Sequence, residues 1–176
     1  METVEAILTR RSVRMFHDQA VEPEKVHTLL KAAMYAPSAL NEQPWRFVVI
    51  TERSRFDEIM QVYPYADMLR TAPMAILVCG DLVLEKAPGN WVLDCAAATQ
   101  NMLLAAHATG LGAVWSGIYP EENRMDALSA MFHLPPEVKP FALVAAGYGS
   151  GNHQAPPERF DSGRVSLNSW NNRYQA

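Results

Sequence analysis

The sequence contains few cysteines and no long hydrophobic segment. Its two cysteines, Cys79 and Cys95, lie in apolar stretches without CxxC spacing. That placement indicates reduced, buried side chains and argues against a disulfide framework or a thiolate metal site. No apolar run approaches the roughly 20 residues of a membrane span, and residues 1–5 lack the basic and then apolar pattern of a secretion signal. We therefore expect a cytoplasmic protein.

The chain also lacks an excess of positive charge. It carries 15 lysines and arginines against 19 aspartates and glutamates, a formal net charge of −4. Proteins that bind nucleic acid usually show a basic excess, so we expect no nucleic-acid partner. The five histidines include no pair at the i, i+4 spacing of a helical metal site, and the sequence therefore predicts no bound metal.

The order of the apolar segments predicts one α+β domain. With 176 residues, 49% of them hydrophobic, the chain can bury a sizeable core. Helices and strands alternate without an internal repeat or linker. One helix, near residues 90–110, is apolar around most of its circumference, which favours either a central core position or contact with another subunit. The patterns predict further helices near 3–9, 23–36, 54–62 and 120–132, and strands near 45–51, 73–80, 112–116 and 140–147.

The stretch Arg10-Arg11-Ser12-Val13-Arg14 is the first candidate for a binding site. In an extended segment Arg10, Ser12 and Arg14 share one face, because successive side chains of a strand point to opposite sides. Two guanidiniums with a hydroxyl between them suit a dianionic phosphate, since each guanidinium can form a bidentate pair. A solvated basic patch is the plainer explanation of these five residues alone, because short basic runs are common.

A polar loop at residues 37–44 is the second candidate. It reads Pro-Ser-Ala-Leu-Asn-Glu-Gln-Pro and joins a predicted helix to a predicted strand. The amides of Asn41 and Gln43 each offer donors and acceptors, which suit the edge of a planar heterocycle that carries carbonyls and ring nitrogens. Ordinary turn chemistry is the alternative for such a loop.

Two further candidates lie in the second half of the chain. At the end of the strand near 112–116, Gly117 permits close backbone approach, and its N–H or that of Ser116 could reach a bound ring. Trp115 taken alone is more typical of a core residue. Arg164 supplies another cation, and an ordinary surface arginine is the alternative there.

In this order, the segments resemble the nitroreductase family of flavin enzymes. The resemblance covers nearly the whole chain, and it begins with Arg-Arg-Ser-Val-Arg after a first helix. Ala-Pro-Ser-Ala-Leu-Asn-Glu-Gln-Pro-Trp at 36–45 follows, then the Ala-rich helix with Leu-Leu-Ala-Ala-His at 103–107. Gly-Leu-Gly at 110–112 and Trp-Ser-Gly at 115–117 come next, and residues 159–170 close the set. Each motif is weak by itself, but the ordered set is specific.

The resemblance implies a three-layer α+β sandwich, in which helices wrap a mostly antiparallel central sheet, and a domain-intertwined homodimer. Residues 1–165 would form one FMN-binding domain, and residues 166–176, with Trp170, would extend across the partner. Two FMN molecules would lie at the subunit interface. The family implies FMN contacts by Arg10, Arg11, Ser12, Arg14, Pro37, Ser38, Ala39, Asn41, Gln43, Trp115, Ser116, Gly117 and Arg164.

These implied contacts divide by the part of FMN that they would touch. Arg10, Ser12 and Arg14 would hold the phosphate, ribityl and pyrimidine side, with Arg11 assisting, and Arg164 would close on the phosphate. Pro37, Ser38, Ala39 and Asn41 would come from the other subunit and line the isoalloxazine. The Trp-Ser-Gly motif would place Ser116 and Gly117 along the ring near its reactive N5.

The implied activity is hydride transfer from NADH or NADPH to flavin N5 and then to an electron-poor acceptor, such as a nitroaromatic, a quinone or an activated alkene. Both substrates would use one pocket in turn, which gives ping-pong kinetics. The flavin carries the chemistry, so no side chain is expected as a catalytic acid or base. A positive charge near N1 and O2, from Arg14, would stabilise the anionic reduced flavin.

Other interpretations stay open at the level of sequence. The same fold could carry reductive dehalogenation or flavin destruction. The chain could also be an FMN-binding storage or redox-sensing protein with little turnover, or a structural dimer without cofactor. One departure bears on the redox tuning: where some relatives place a lysine near the flavin pyrimidine, this chain has Asp67. Its charge would oppose the reduced flavin unless Arg70 or Arg14 pairs with it.

Overall fold

The computed structural model describes residues 1–151 and 156–174. Within these residues helices and strands alternate, as predicted for an α+β domain. Short 3₁₀ turns lie at Ala39–Asn41, Asp67–Arg70 and Ser162–Arg164. The main elements, in chain order, are α1 (Thr3–Thr9), α2 (Pro23–Met34), β1 (Trp45–Ile50), α3 (Arg53–Val62), β2 (Met74–Asp81), α4 (Trp91–Ala108), β3 (Gly112–Gly117), α5 (Glu122–Met131) and β4 (Val138–Gly147).

The four strands form one antiparallel sheet in the order β1-β2-β4-β3. The strand β2 lies between two neighbours and is buried along its whole length, as its continuous apolar run predicts. Its side chains alternate between two cores. Leu77 packs with helices α3 and α5 on one face, whereas Ile76 packs with α2 and α4 on the other. The result is the predicted three-layer sandwich, with the sheet in the middle.

The strand β4 begins two residues earlier than the sequence predicts. Pro140 argues against a central strand, because proline donates no hydrogen bond to a ladder. A bulge resolves this conflict: Pro140 pairs with Cys79 and Ala142 with Val78, so Phe141 is the extra residue between them. The carbonyl of Phe141 accepts from the N–H groups of Ile118 and Tyr119 instead. Pro140 therefore lies at an irregular point of the ladder, where a strand tolerates proline.

The arginine-rich stretch follows α1 and runs beside the edge strand β3. Ser12 forms a parallel bridge with Ala113, and the Val13 N–H donates to the Ala113 carbonyl at 3.0 Å. Val13 is buried against Gly112, where an added Cβ would lie 2.6 Å from Val13 Cγ1. Only glycine at 112 therefore lets the extended stretch approach the sheet this closely.

We expect Gly112→Ala to lower the free energy of unfolding by about 1–3 kcal/mol, the usual cost of overpacking a filled site. Gly117→Ala, in the same strand, is the matched control, because a Cβ there meets nothing closer than the Tyr119 carbonyl oxygen at 3.9 Å. Urea denaturation of both variants measures the difference. Equal stabilities would show that the stretch does not depend on this close contact.

The two cysteines and the hydrophobicity of the helices can be compared with the predictions from the sequence. Cys79 and Cys95 are both buried free thiols, as predicted, and burial raises the pKa of Cys79 to about 12. Among the described residues, no helix combines the length and the hydrophobicity needed to cross a membrane.

Candidate active site

One end of the arginine-rich stretch carries a cluster of positive charge. Partial burial, followed by the guanidiniums of Arg159 and Arg11, lowers the pKa of Arg10. Within the described part of the chain, none of these three arginines forms an ion pair with a carboxylate. The Nη1 atom of Arg11 is also buried without a hydrogen-bond partner there. A buried guanidinium nitrogen without a partner is costly, and a bound anion would remove that cost.

The cluster borders an open cavity of about 700 Å³ between the end of α1 and residues 156–160. Arg10 and Arg159 both line it. Glu158 lines it as well, but the Oε1 of its carboxylate accepts from the N–H groups of Arg159 and Phe160 at 2.7 and 2.8 Å. This local bonding lowers the pKa of Glu158 and ties its charge to its own backbone.

Arg159 is not among the site residues predicted from the sequence, which include Arg164. In the structure Arg164 pairs with Asp161, with 3.0 Å between Nε and Oδ2, and its side chain is 84% exposed. The cluster with Arg10 contains Arg159 instead. The sequence gives little signal for this choice, because both arginines lie in the same polar tail and only the fold brings one of them back to α1.

A second cavity, of about 590 Å³, lies at the other end of the stretch. The predicted residues Arg14, Trp115, Ser116 and Gly117 line it together. The fold therefore brings the first and third candidate segments to one place. The remaining lining residues are Met15, Tyr63, Pro64, Tyr65, Asp67, Met68 and Val114.

The backbone at Gly117 is held by two side chains that sequence reasoning did not find. Its carbonyl accepts from the Tyr63 hydroxyl at 3.1 Å and from Arg124 Nη1 at 2.9 Å. The Arg124 guanidinium also lies over the Tyr63 ring, 4.3 Å from its centroid, in a cation–π contact. These contacts fix the orientation of the Gly117–Ile118 peptide, directly after the Ser116–Gly117 segment of the cavity wall. Tyr63 and Arg124 belong to separate helical regions, so no local pattern joins them.

Asp67 reaches the same cavity, and its charge has a partner. Arg70 Nε lies 3.3 Å from Asp67 Oδ1. This is one of the two pairings considered from sequence, and it leaves Arg14 outside any ion pair in the described residues. Both side chains of the pair are exposed, so the attraction is weakened by solvent.

The loop 37–44 has a strained backbone. Leu40, Asn41 and Gln43 have φ values of 48°, 53° and 48°, a region that only asparagine among them tolerates readily. Each such residue costs roughly 1–3 kcal/mol and persists where surrounding contacts hold it, most often at functional sites. Inside the loop the Gln43 N–H donates to Ser38 Oγ, and Gln43 Nε2 donates to Asn41 Oδ1.

The loop and the two cavities are separate in the described chain. None of the predicted loop residues lines either cavity. One chain therefore joins the arginine stretch to the Trp-Ser-Gly motif but does not bring the loop to them. The loop residues concerned are Pro37, Ser38, Ala39, Asn41 and Gln43.

Comparison with known proteins identifies the family. A model of the Nitroreductase family matches residues 7–64 and 57–148. A protein of Methanothermobacter thermautotrophicus, provisionally named NADH dehydrogenase/NAD(P)H nitroreductase, is 46% identical over 170 residues, which cover 97% of this chain and 88% of the relative. A solved structure from Parabacteroides distasonis with the same provisional name has a TM-score of 0.90 and 38% identity, covering 96% and 98% of the two chains.

A further solved structure concerns the cofactor. It is a provisionally named nitroreductase of Desulfovibrio desulfuricans in complex with FMN, with a TM-score of 0.79 and 35% identity over 90% of this chain and 92% of that one. The expected cofactor agrees with this neighbour, and the predicted fold and family are confirmed. The chain belongs to the nitroreductase family of NAD(P)H oxidoreductases.

Proposed function

We propose that this protein is an FMN-dependent oxidoreductase that takes reducing equivalents from NADH or NADPH and passes them to an electron-poor small molecule by ping-pong kinetics. The observation that carries the proposal is the unpaired arginine cluster at one end of residues 10–14, with an open cavity at the other. Four residue steps of extended chain span about 13 Å. A long ligand with an anionic end and a planar end suits that arrangement.

The arginine cluster is suited to the phosphate of FMN. Arg10, Arg11 and Arg159 offer guanidinium donors without a carboxylate partner in the described residues. Guanidiniums bind phosphate oxygens in bidentate fashion, which gives both strength and orientation. The exposed hydroxyl of Ser12 follows along the same stretch and suits the ribityl chain.

The second cavity is suited to the isoalloxazine ring and to the substrates that stack on it. Arg14 supplies a positive charge that favours a reduced, anionic ring. Ser116 and Gly117 present their backbone to the ring edge, and the hydrogen bonds of Tyr63 and Arg124 to the Gly117 carbonyl hold this backbone in place. When bound, FMN supplies the hydride-transfer chemistry, and the protein supplies binding and orientation. Nitroaromatics, quinones and activated alkenes are the proposed acceptors.

A homodimer would complete this site. The loop 37–44 does not reach the cavities of its own chain, so we propose that it lines the ring in the partner. Several large exposed apolar side chains are available to an interface, because contiguous apolar surface of this kind marks protein contacts. They lie on α1, at the end of α2, on α4 and in the tail: Val4, Ile7, Leu8, Met34, Tyr35, Leu93, Phe160, Leu167 and Trp170.

The tail gives a direct test of the dimer. Trp170 is 90% exposed in the single chain, and we propose that residues 166–176 cover the partner; residues 175 and 176 lie outside the described part. Deletion from residue 166 should raise the dimer dissociation constant at least ~10-fold, because a buried tryptophan is a typical hot spot. Sedimentation at falling concentration measures it, and Trp170→Ala should give most of the effect. An unchanged dimer would remove this role from the tail.

Initial rates test the proposed activity. We expect NADH or NADPH oxidation that depends on a nitroaromatic or a quinone and that gives parallel double-reciprocal lines at several acceptor concentrations. Intersecting lines would contradict the shared-pocket, ping-pong scheme. Tight FMN binding without acceptor-dependent oxidation would favour storage or redox sensing. A location in the cytoplasm remains a prediction from the sequence.

A further inference from the structure

Two acidic side chains are buried beside the strained loop. Glu42 and Asp94, on the loop and in the first turn of α4, are each only 5% exposed. Glu42 Oε2 accepts from the N–H groups of Lys86 and Ala87 at 2.6 and 2.9 Å. Asp94 Oδ1 accepts from the Ala39 N–H at 3.0 Å. The two carboxyl groups therefore connect the loop to α4 and to the segment before it.

The second oxygen of each carboxyl group has no hydrogen-bond partner among the described residues. These two oxygens, Glu42 Oε1 and Asp94 Oδ2, are buried. Two ionised carboxylates side by side would leave both oxygens unsatisfied and would repel each other. A single proton between them removes both costs, because the protonated group becomes a donor to the ionised one.

The environments of the two groups indicate which one carries the proton. Burial raises the pKa of Asp94, and the neighbouring carboxyl group of Glu42 and the charge of Glu85 raise it further, whereas the hydrogen bond from the Ala39 N–H opposes the shift. Burial also opposes ionisation of Glu42. The N–H groups of Lys86 and Ala87, the neighbouring Asp94 carboxyl group and the charge of Lys86 outweigh it and lower the pKa of Glu42. A proton held by the pair would therefore lie on Asp94, with Glu42 as the ionised acceptor.

These anchors enclose the part of the loop that is strained. Ala39 and Glu42 stand on either side of Leu40 and Asn41, and Gln43 follows directly. Positive φ at such residues requires contacts that hold them in place. The bonds of Asp94 to Ala39 and of Glu42 to Lys86 and Ala87 are contacts of this kind.

We propose that Glu42 and Asp94 share one proton and that this carboxyl pair positions the loop 38–43 for contact with FMN, so that loss of the proton loosens the loop. The inference rests on the proposed function, since it takes the loop to be a flavin contact. Glu42 and Asp94 are thus positioning residues and do not themselves touch the cofactor.

The proposal predicts a pH window. A raised pKa means that the contribution of Asp94 to stability is present at low pH and is lost as pH rises through its folded value. A lowered pKa means that the contribution of Glu42 is present above its ordinary value and is lost as pH falls through its folded value. The pair is intact between these limits. The charged groups that face it are Glu85 and Lys86, and Cys95 is the neighbouring thiol on α4.

The variant Asp94→Asn removes the titratable proton but keeps the size and shape of the side chain. Its carbonyl oxygen can accept from the Ala39 N–H, and its amide can donate to Glu42 Oε1 at every pH. We expect FMN affinity, measured by quenching of flavin fluorescence, to fall on the alkaline side for the wild type and to stay level for this variant. Comparison of the two at each pH cancels the ionisation of the flavin itself. Asp94→Leu should bind FMN at least ~10-fold more weakly throughout.

Asp81→Asn is the matched control, because Asp81 is a buried aspartate whose carboxylate pairs with Arg46 at 2.9 Å and accepts from the Val83 N–H. Its contact with the loop is made by its backbone N–H, which donates to the Pro44 carbonyl and which the substitution keeps. The FMN affinity of Asp81→Asn should fall on the alkaline side as it does in the wild type. An Asp94→Asn profile with the same alkaline fall as the wild type would overturn the proposal, and so would an Asp94→Leu variant with unchanged affinity.

A measurement without flavin separates this inference from the proposed function. In the flavin-free protein at neutral pH, the infrared carbonyl band of a protonated carboxylic acid should be present in the wild type and absent in Asp94→Asn. If the band is present but FMN does not bind to the wild type, the proposed function fails and the shared proton stands. If FMN binds but the band is missing, the shared proton is wrong.

Discussion

The double variant Arg10→Ala, Arg159→Ala is expected to lose nearly all FMN binding at concentrations that saturate the wild type. Each arginine can contribute a charged hydrogen bond of about 1.5–3 kcal/mol, which corresponds to roughly 10- to 150-fold in the dissociation constant. The two arginines belong to one cluster, so their effects need not add. The fold itself should change little, because neither side chain has a described ion-pair partner to lose.

Flavin fluorescence titration of the two single variants and the double variant measures this effect. Arg164→Ala is the control of equal charge change from the same tail, and its smaller loss would reflect the pairing of Arg164 with Asp161. Should Arg164→Ala weaken binding as much as Arg159→Ala, the phosphate site would include the residue first chosen from sequence. Unchanged affinity in the double variant would return the cluster to an ordinary surface patch.

Mixed dimers should recover a site that neither parent possesses. One parent carries Arg10→Ala and Arg159→Ala. The other carries Asn41→Gly and Gln43→Gly, which remove the amides but keep a residue that tolerates the positive φ values of 53° and 48°. If the arginines of one protomer meet the loop of its partner, a heterodimer contains one site with both defects and one without any.

The heterodimer can be purified with two different affinity tags, and its FMN content compared with that of each homodimer. We expect about one FMN per heterodimer under conditions in which both parent homodimers are nearly empty. A heterodimer as empty as its parents would mean that each site lies within one chain. A heterodimer of wild-type protomers with the same tags, which should hold two FMN, controls for the purification.

The local patterns of the sequence predicted most of the fold. The helix ends agree to within a few residues because Pro23 and Gly110 act locally: Pro23 begins α2, and Gly110, with φ of 80°, follows the end of α4. The start of β4 was misplaced, because a bulge that depends on the neighbouring strand makes Pro140 acceptable there. Local sequence patterns do not predict a feature, such as this bulge, that depends on pairing with another strand.

The same limit applies to the candidate site. Arg14 and the Trp-Ser-Gly motif can be proposed from the sequence because each carries its chemistry in a short segment, and in the structure both line one cavity. Arg159 and the buried pair of Glu42 and Asp94 depend on contacts between distant segments. Glu42 was read as part of a polar turn, and nothing in that turn shows that its carboxyl group is buried.

The visible absorption spectrum of the purified protein, recorded before and after addition of NADH or NADPH without oxygen, tests the central claim most directly. A flavin oxidoreductase gives a yellow protein, after incubation with FMN if necessary, that bleaches with a reduced nicotinamide and regains its colour with a nitroaromatic or a quinone. A protein that stays colourless after incubation with FMN, or a yellow protein that neither nicotinamide bleaches, would contradict the account.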